Sequence, residues 1–209
     1  MYYGQLKIDQ YLHTTFFQNV RGGFFIECGA CDGVLASTCK FFEDSMGWTG
    51  INIEPAPPLF KLLQKKRPKS SNLNIALSDT DTVRTFTHAI HPRLGTRFGN
   101  GSLAHHESHT QDLLKRGCTF EKYEVQCKRF SDVFNHKREI DLFVLDVEGH
   151  ELQALKGIMD LDARFLPRVF CIEYPLCGLE NIAQLLGPRY DHHSTRHHNA
   201  IYVKTKENS

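Results

Sequence analysis

The stretch FFIECGACDG, residues 24–33, decides the fold, and it supports two readings of one short loop. Cys28 and Cys31 have the spacing of a redox or metal-binding pair, whereas Glu27, Gly29 and Gly33 suit a turn shaped around a nucleotide cofactor. The apolar run GFFIEC follows Gly22-Gly23 and ends at this glycine-rich turn, which predicts a strand buried on both faces. Downstream, Leu35, Cys39, Phe42 and Met46 recur at helical spacing and predict one apolar helix face. TGINIEP then reads as a second strand stopped by Pro55, and Pro57-Pro58 opens a helix whose buried side is Leu59, Leu62 and Leu63. NLNIALSD reads as a third strand. Strand, helix, strand, helix, strand is the order that builds a parallel sheet through right-handed crossovers.

The second half continues the alternation. IDLFVLD and RVFCIEYP read as apolar strands, HELQALKGI and LENIAQLLG as helices, the latter closed by Gly187, and YDHHSTRHHNAIYVK as a terminal hairpin. Order returns before them with EVQCKRF. The segment 88–117, with Gly95, Gly99, Gly101 and five histidines, has no sustained period and is expected as a long loop ending in a short helix, a lid or substrate-facing insert. No repeat or low-complexity linker divides the chain, so 1–209 is expected as a single domain.

Bulk properties exclude several classes. With 25 basic and 24 acidic residues the formal net charge is +1, so no global field draws nucleic acid or an anionic membrane. No apolar run has the length of a membrane span, and the first residues lack the order of a signal peptide. Seven cysteines without a dense framework point to reduced thiols and a cytoplasmic location.

In a doubly wound sheet the ligand lies beyond the carboxyl ends of the strands, against the first strand-to-helix turn. Glu27, Gly29, Ala30, Asp32 and Gly33 form that turn, with the backbone N–H groups of the following helix aimed at the ligand. The pattern departs from G-x-G-x-x-G, and an acid two residues before Gly29 favours a cofactor with an ammonium group, such as S-adenosylmethionine, over a pyrophosphate. Glu54, 21 residues beyond Gly33 and followed by Pro55, is placed to accept hydrogen bonds from ribose hydroxyls. Ser78 and Asp79 follow the third strand, where they would border an adenine ring or cap a helix.

FFIECGACDGVLAS, GINIEPAPPLFKLL, NIALSD and DLFVLDVEGHELQALKG resemble the successive motifs of the FkbM-family methyltransferases, from about Gly4-Gln5 to Val203. The resemblance implies a class I, Rossmann-like fold: a mostly parallel seven-stranded sheet with an antiparallel last strand. It also implies methyl transfer from S-adenosylmethionine to a hydroxyl, often on a sugar or polyketide. Cys31 departs from the polar residue, such as Asn, that members commonly carry there.

DVEGHE, residues 146–151, ends a central strand beside the expected methyl group. Asp146, Glu148 and His150 are the candidates for holding an acceptor hydroxyl or removing its proton, with helix capping as the alternative for Glu148 and His150. Glu173 ends the next strand, and convergence with Asp146 would suit a Mg²⁺ bridging both to the acceptor oxygen. Cys28 and Cys31 have no second close pair to complete a zinc site; the nearest ligands are His105, His106, His109, Cys118 and Cys127. The group His192, His193, His197 and His198 reads as an exposed strand face. The expected acceptor is a hydroxylated small molecule or glycan, selected by the 88–117 segment and the N-terminal residues. A catalytically silent module that binds a partner, and a methyltransferase acting on RNA, are the alternatives.

Overall fold

A computed structural model describes residues 1–135 and 138–205. The chain opens with α1 (Ile8–Leu12), continued to Phe17 by a π-helical turn, and then enters β1 (Phe24–Cys28). There follow α2 (Lys40–Met46), β2 (Thr49–Ile53), α3 (Pro57–Lys66), β3 (Ser71–Leu73), β4 (Ala76–Leu77), β5 (Thr82–Ile90) and β6 (Gly101–Ser102). The remainder runs α4 (Glu107–Lys115), β7 (Thr119–Lys128), α5 (Phe130–Val133), β8 (Leu142–Leu145), α6 (Glu151–Met159), β9 (Val169–Glu173), α7 (Leu179–Leu186), β10 (Tyr190–Arg196) and β11 (Asn199–Lys204).

Seven strands form the main sheet in the order β10-β11-β9-β8-β1-β2-β3. The pairs β9-β8, β8-β1, β1-β2 and β2-β3 are parallel, and β11 runs antiparallel to both neighbours. This is the α/β, Rossmann-like sheet with an antiparallel last strand that the sequence motifs imply. Strand alternation splits the apolar residues between two layers. Phe24, Ile26, Phe143, Leu145, Phe170 and Ile172 pack with Ala154, Leu155 and Ile158 of α6 and Ile182 of α7. On the opposite face Phe25, Leu142, Val144 and Cys171 meet Leu12, Phe17, Phe42 and Trp48. Both faces are covered, which is why these strands read as unbroken apolar runs.

Three expectations need correction. NLNIALSD is two strands: Ser71–Leu73 pairs with β2 in the main sheet, while Ala76–Leu77 pairs with β7 in a second sheet. The helix expected from Leu35 starts at Lys40, and Leu35 is 55% exposed. Its predecessor is a turn in which Asp32 Oδ1 accepts from the Val34 and Leu35 N–H groups, and this removes Leu35 from the helical register. The 88–117 segment is largely ordered. β5 and β7 form an antiparallel ribbon paired from Thr82↔Cys127 to Ile90↔Thr119, β6 adds to its edge, and α4 closes it. The second sheet runs β4-β7-β5-β6 and stands over the carboxyl ends of the main strands.

Candidate active site

The turn after β1 is fixed first by its own chain. Gly29 has φ 86°, and a Cβ there would lie 1.8 Å from the Asp146 carbonyl oxygen, so glycine is required by the neighbouring strand end. A Cβ at Gly33 would meet Leu63 and Arg67 of the α3 region at 2.7 Å. The Gly29 and Ala30 N–H groups donate to the Ile53 carbonyl at 3.0 and 3.1 Å and tie the turn to β2.

Glu27, expected against an open cofactor cavity, has its carboxylate engaged by the protein. Its Oε1 accepts from Thr38 N–H at 2.7 Å and Cys39 N–H at 3.0 Å, and Ser37 Oγ donates to both oxygens. These bonds satisfy donors at the start of α2. Arg67 Nη1 lies 3.2 Å from Glu27 Oε2, and Arg67 Nε lies 3.0 Å from Glu43 Oε2, all three side chains being buried. Asp32 likewise holds its own turn and pairs with Lys66 at 2.5 Å. Arg67 was invisible as an organiser in the sequence, where it sits in the basic run KKRPK.

Three cavities, of about 330, 520 and 790 Å³, converge on Gly29, Cys31 and Asp146. The first is walled by Glu54, Pro55 and Phe86, the second by Glu27, Ala30 and Asn199, and the third by Gln5, Arg97 and Glu148. Glu54 is buried, and each of its oxygens accepts one backbone N–H, from Cys31 at 2.9 Å and Ala56 at 2.8 Å. Burial pushes its carboxyl up to about 7, and free lone pairs remain for hydroxyl donors from the cavity. Ser78 and Asp79 stand apart from these three cavities: Ser78 Oγ meets His150 Nε2 at 3.1 Å and Asp79 Oδ1 at 3.3 Å.

The cysteine pair diverges. Cys28 packs in the core beneath the sheet, and Cys31 packs beside Phe86 and Val125 of the second sheet. Burial raises both thiols well above the usual range, which opposes thiolate chemistry. All seven cysteines are unpaired.

At the ends of β8 and β9, Asp146, Glu148 and Glu173 each offer an oxygen within 4.8 Å of the others. Glu148 has a left-handed backbone, φ 55°, with Gly149 at φ 97°, and this sharp turn brings its carboxyl back toward Asp146. Asn100 Nδ2, from the loop before β6, donates to Glu148 Oε1, and His109 Nδ1 of α4 lies 3.7 Å from Oε2. Burial, then the charge of Asp146, raises Glu148 to about 8 and Glu173 to about 11. Asp146 is raised as well, by burial.

His150 sits elsewhere: it is 3% exposed, spends Nε2 on Ser78, and is lowered to about 4 by burial. The turn's cap is Glu151, which accepts from the Val147 N–H at 2.9 Å and from the Gly149 N–H. Sequence reasoning missed Asn100 and His109, which reach the carboxylates only through the second sheet and α4.

A pH dependence follows from Glu148. In the fold it holds its proton to about 8, against 4.5 ordinarily, so between those values the unfolded state has lost a proton that the native state keeps. Stability conferred at low pH is therefore lost as pH rises through that window. Glu148→Gln removes the titration. Its Tm is expected to exceed that of the wild type at pH 8 by about 2–4 °C or more, a difference of ~1 kcal/mol, and to approach it at pH 5. Scanning calorimetry at the two pH values checks this, and a constant difference would exclude it.

The profile of the methyltransferase FkbM domain matches residues 27–185. The chain belongs to the FkbM methyltransferase family. S-adenosylmethionine is therefore its cofactor, and the buried Glu54 acceptor beside three converging cavities is compatible with it. Among solved structures, the chain is similar to a TehB-like SAM-dependent methyltransferase from Corynebacterium glutamicum, with 11% identity, 94% of this chain and 87% of that one covered, and a TM-score of 0.47. It is also similar to the delta-N METTL16 methyltransferase domain, with 11% identity, 93% and 79% covered, and a TM-score of 0.47. The comparison with curated proteins gave no match. Among the described residues no helix is long and apolar enough to cross a membrane.

Proposed function

We propose that this FkbM methyltransferase transfers the methyl group of S-adenosylmethionine to a hydroxyl oxygen of a sugar, glycan or other small hydroxylated metabolite, and that residues 1–209 act as one unit. The observation that carries this reading is the position of Asp146. It lines all three cavities around the β1 turn and also belongs to the carboxyl cluster with Glu148 and Glu173. Bound S-adenosylmethionine supplies a methyl carbon activated by its sulfonium, so the protein's tasks are to position an acceptor and relieve its proton. In this reading Glu54 holds the ribose, Gly29, Ala30 and Pro55 shape the cofactor groove, and Glu27, Asp32 and Gly33 hold the turn in place. Glu148 and Glu173, protonated at neutral pH, donate hydrogen bonds to the acceptor. Seven unpaired thiols suit the cytoplasm.

Incubating the protein with labelled cofactor and glycans, hydroxylated metabolites or capped RNA, and reading the mass shift, tests the acceptor class. Product on RNA alone would replace the sugar reading, and no product from protein that binds cofactor would favour the silent module.

S-adenosylhomocysteine is expected to raise Tm by mass action. Glu54→Ala is expected to weaken its binding by about tenfold or more, ~1.4 kcal/mol, and Cys31→Ser by much less. Equal affinities for the two variants would remove Glu54 from the ribose.

The cluster of Asp146, Glu148 and Glu173 supports a second reading, Mg²⁺ held by Asp146 and Glu173 against the acceptor oxygen, because oxygen ligands suit that ion. Full activity in the presence of chelator would remove it.

A further inference from the structure

A fourth cavity, of about 550 Å³, lies between the start of α4, the segment after β9 and the turn joining β10 to β11. His109, Glu148, Glu173, Leu176 and His198 line it. Glu148 also lines the 790 Å³ cavity that contains Gly29 and Cys31, so the two spaces meet at that side chain. Resting on the O-methylation reading above, we propose that the acceptor enters through this fourth cavity and that His198 is the base that takes its hydroxyl proton.

The hairpin turn is built for this position. The Tyr174 N–H donates to the His198 carbonyl at 3.0 Å, which pins the turn to the end of β9, and Asn199 pairs in register with Glu173. Asn199 lines the 520 Å³ cavity on the cofactor side while His198 lines the fourth, so consecutive residues face the two spaces. The His198 imidazole has no hydrogen-bond partner among the described residues and is exposed, which leaves it a path to return a proton to water. Asp146 is near enough to His198 for the two side chains to interact electrostatically.

The neighbouring candidates are occupied: His150 Nε2 is tied to Ser78, and Glu148 Oε1 accepts from Asn100. The groups facing His198 are Asp146 and Glu148 after β8, Glu173 on β9, His109 and Asp112 on α4, and adjacent His197. No lysine or arginine lines the fourth cavity, whereas the carboxylate of Asp112 does. A phosphate-bearing acceptor is therefore disfavoured relative to a neutral or aminated one.

In the step itself the acceptor O–H bond breaks as His198 takes the proton. The oxygen's electron pair forms the O–CH₃ bond, and the C–S pair leaves on sulfur as neutral S-adenosylhomocysteine. The imidazolium then yields its proton to solvent.

The test uses the full chain, labelled S-adenosylmethionine and four probes: a methyl glycoside, an amino sugar, a sugar phosphate and a capped oligoribonucleotide. Product is expected on the glycoside or amino sugar. On that acceptor His198→Gln is expected to lower kcat by about 10²-fold, with KM and S-adenosylhomocysteine affinity within threefold. The variant should also lose the fall in kcat toward acid that imidazole protonation imposes on the wild type. His197→Asn, at a neighbouring exposed position with φ 53°, is expected to keep wild-type kinetics. A wild-type kcat and pH profile in His198→Gln would overturn the proposal, as would product on the phosphorylated probes alone. No product from any probe, with S-adenosylhomocysteine bound by calorimetry, would also overturn it. Absence of that binding would instead overturn the methyltransferase reading beneath it.

Discussion

Asp146→Asn is expected to lower kcat by about 10²-fold or more while S-adenosylhomocysteine affinity stays within about threefold. The substitution keeps the shape of the side chain and leaves the main chain, whose carbonyl presses on Gly29, in place. What it removes is the carboxylate of the residue that lines all three cavities around the β1 turn and belongs to the carboxyl cluster. On the proposed reading an anion there orients the acceptor hydroxyl, an effect felt during transfer more than in cofactor binding. Single-turnover kinetics with calorimetry separates the two quantities. Turnover at the wild-type rate would take Asp146 out of the chemistry.

Arg67→Ala is expected to be the most damaging substitution for the fold, destabilising it by about 3–5 kcal/mol, the usual effect of removing one partner from a buried ion pair. Arg67 is fully buried, its Nη1 also donates to the Gly33 carbonyl and Ser37 Oγ at 3.1 Å, and its loss takes the cation from Glu27 and leaves Glu43 only Lys40 at 3.8 Å. Tm should fall by roughly 10 °C. Arg67→Lys retains charge without the planar fork that bridges two carboxylates, and should fall between the two. Denaturant titration of the three proteins measures this. A loss below about 1 kcal/mol in Arg67→Ala would mean that the network is replaced by water without consequence.

The strands that carry the site were legible because their surroundings are uniform. FFIEC, LFVL and VFCIE are covered on both faces, so hydrophobicity alone marks them, and their carboxyl ends deliver Glu27, Asp146 and Glu173 to one edge. The β5-β7 ribbon was not recognised. TVRTFTHAI and TFEKYEVQCK expose one face, and their glycine- and histidine-rich connection obscures an alternation in which Phe86, His88, Val125 and Cys127 are buried. Arg67 and His109 were beyond reach for a different reason. Each acquires its role from a partner brought near by tertiary packing, as Arg67 does from Glu27 forty positions earlier. His150, in contrast, sat inside a legible motif and turned inward: it is the non-helical residue before α6, and its ring meets Ser78.

Strand β11 is inserted between β9 and β10, although it follows both in the chain. During synthesis the outer edge of β9 consequently stays unzipped until residues 199–204 have been made. The layers holding Ala200 and Tyr202 on one face and Ile201 on the other cannot close before then. The nascent protein thus carries an adhesive strand edge until that segment emerges, a stage at which chaperone capture or mispairing competes with folding. The same delayed insertion times the birth of the site, since Asn199 and His198 arrive with that strand.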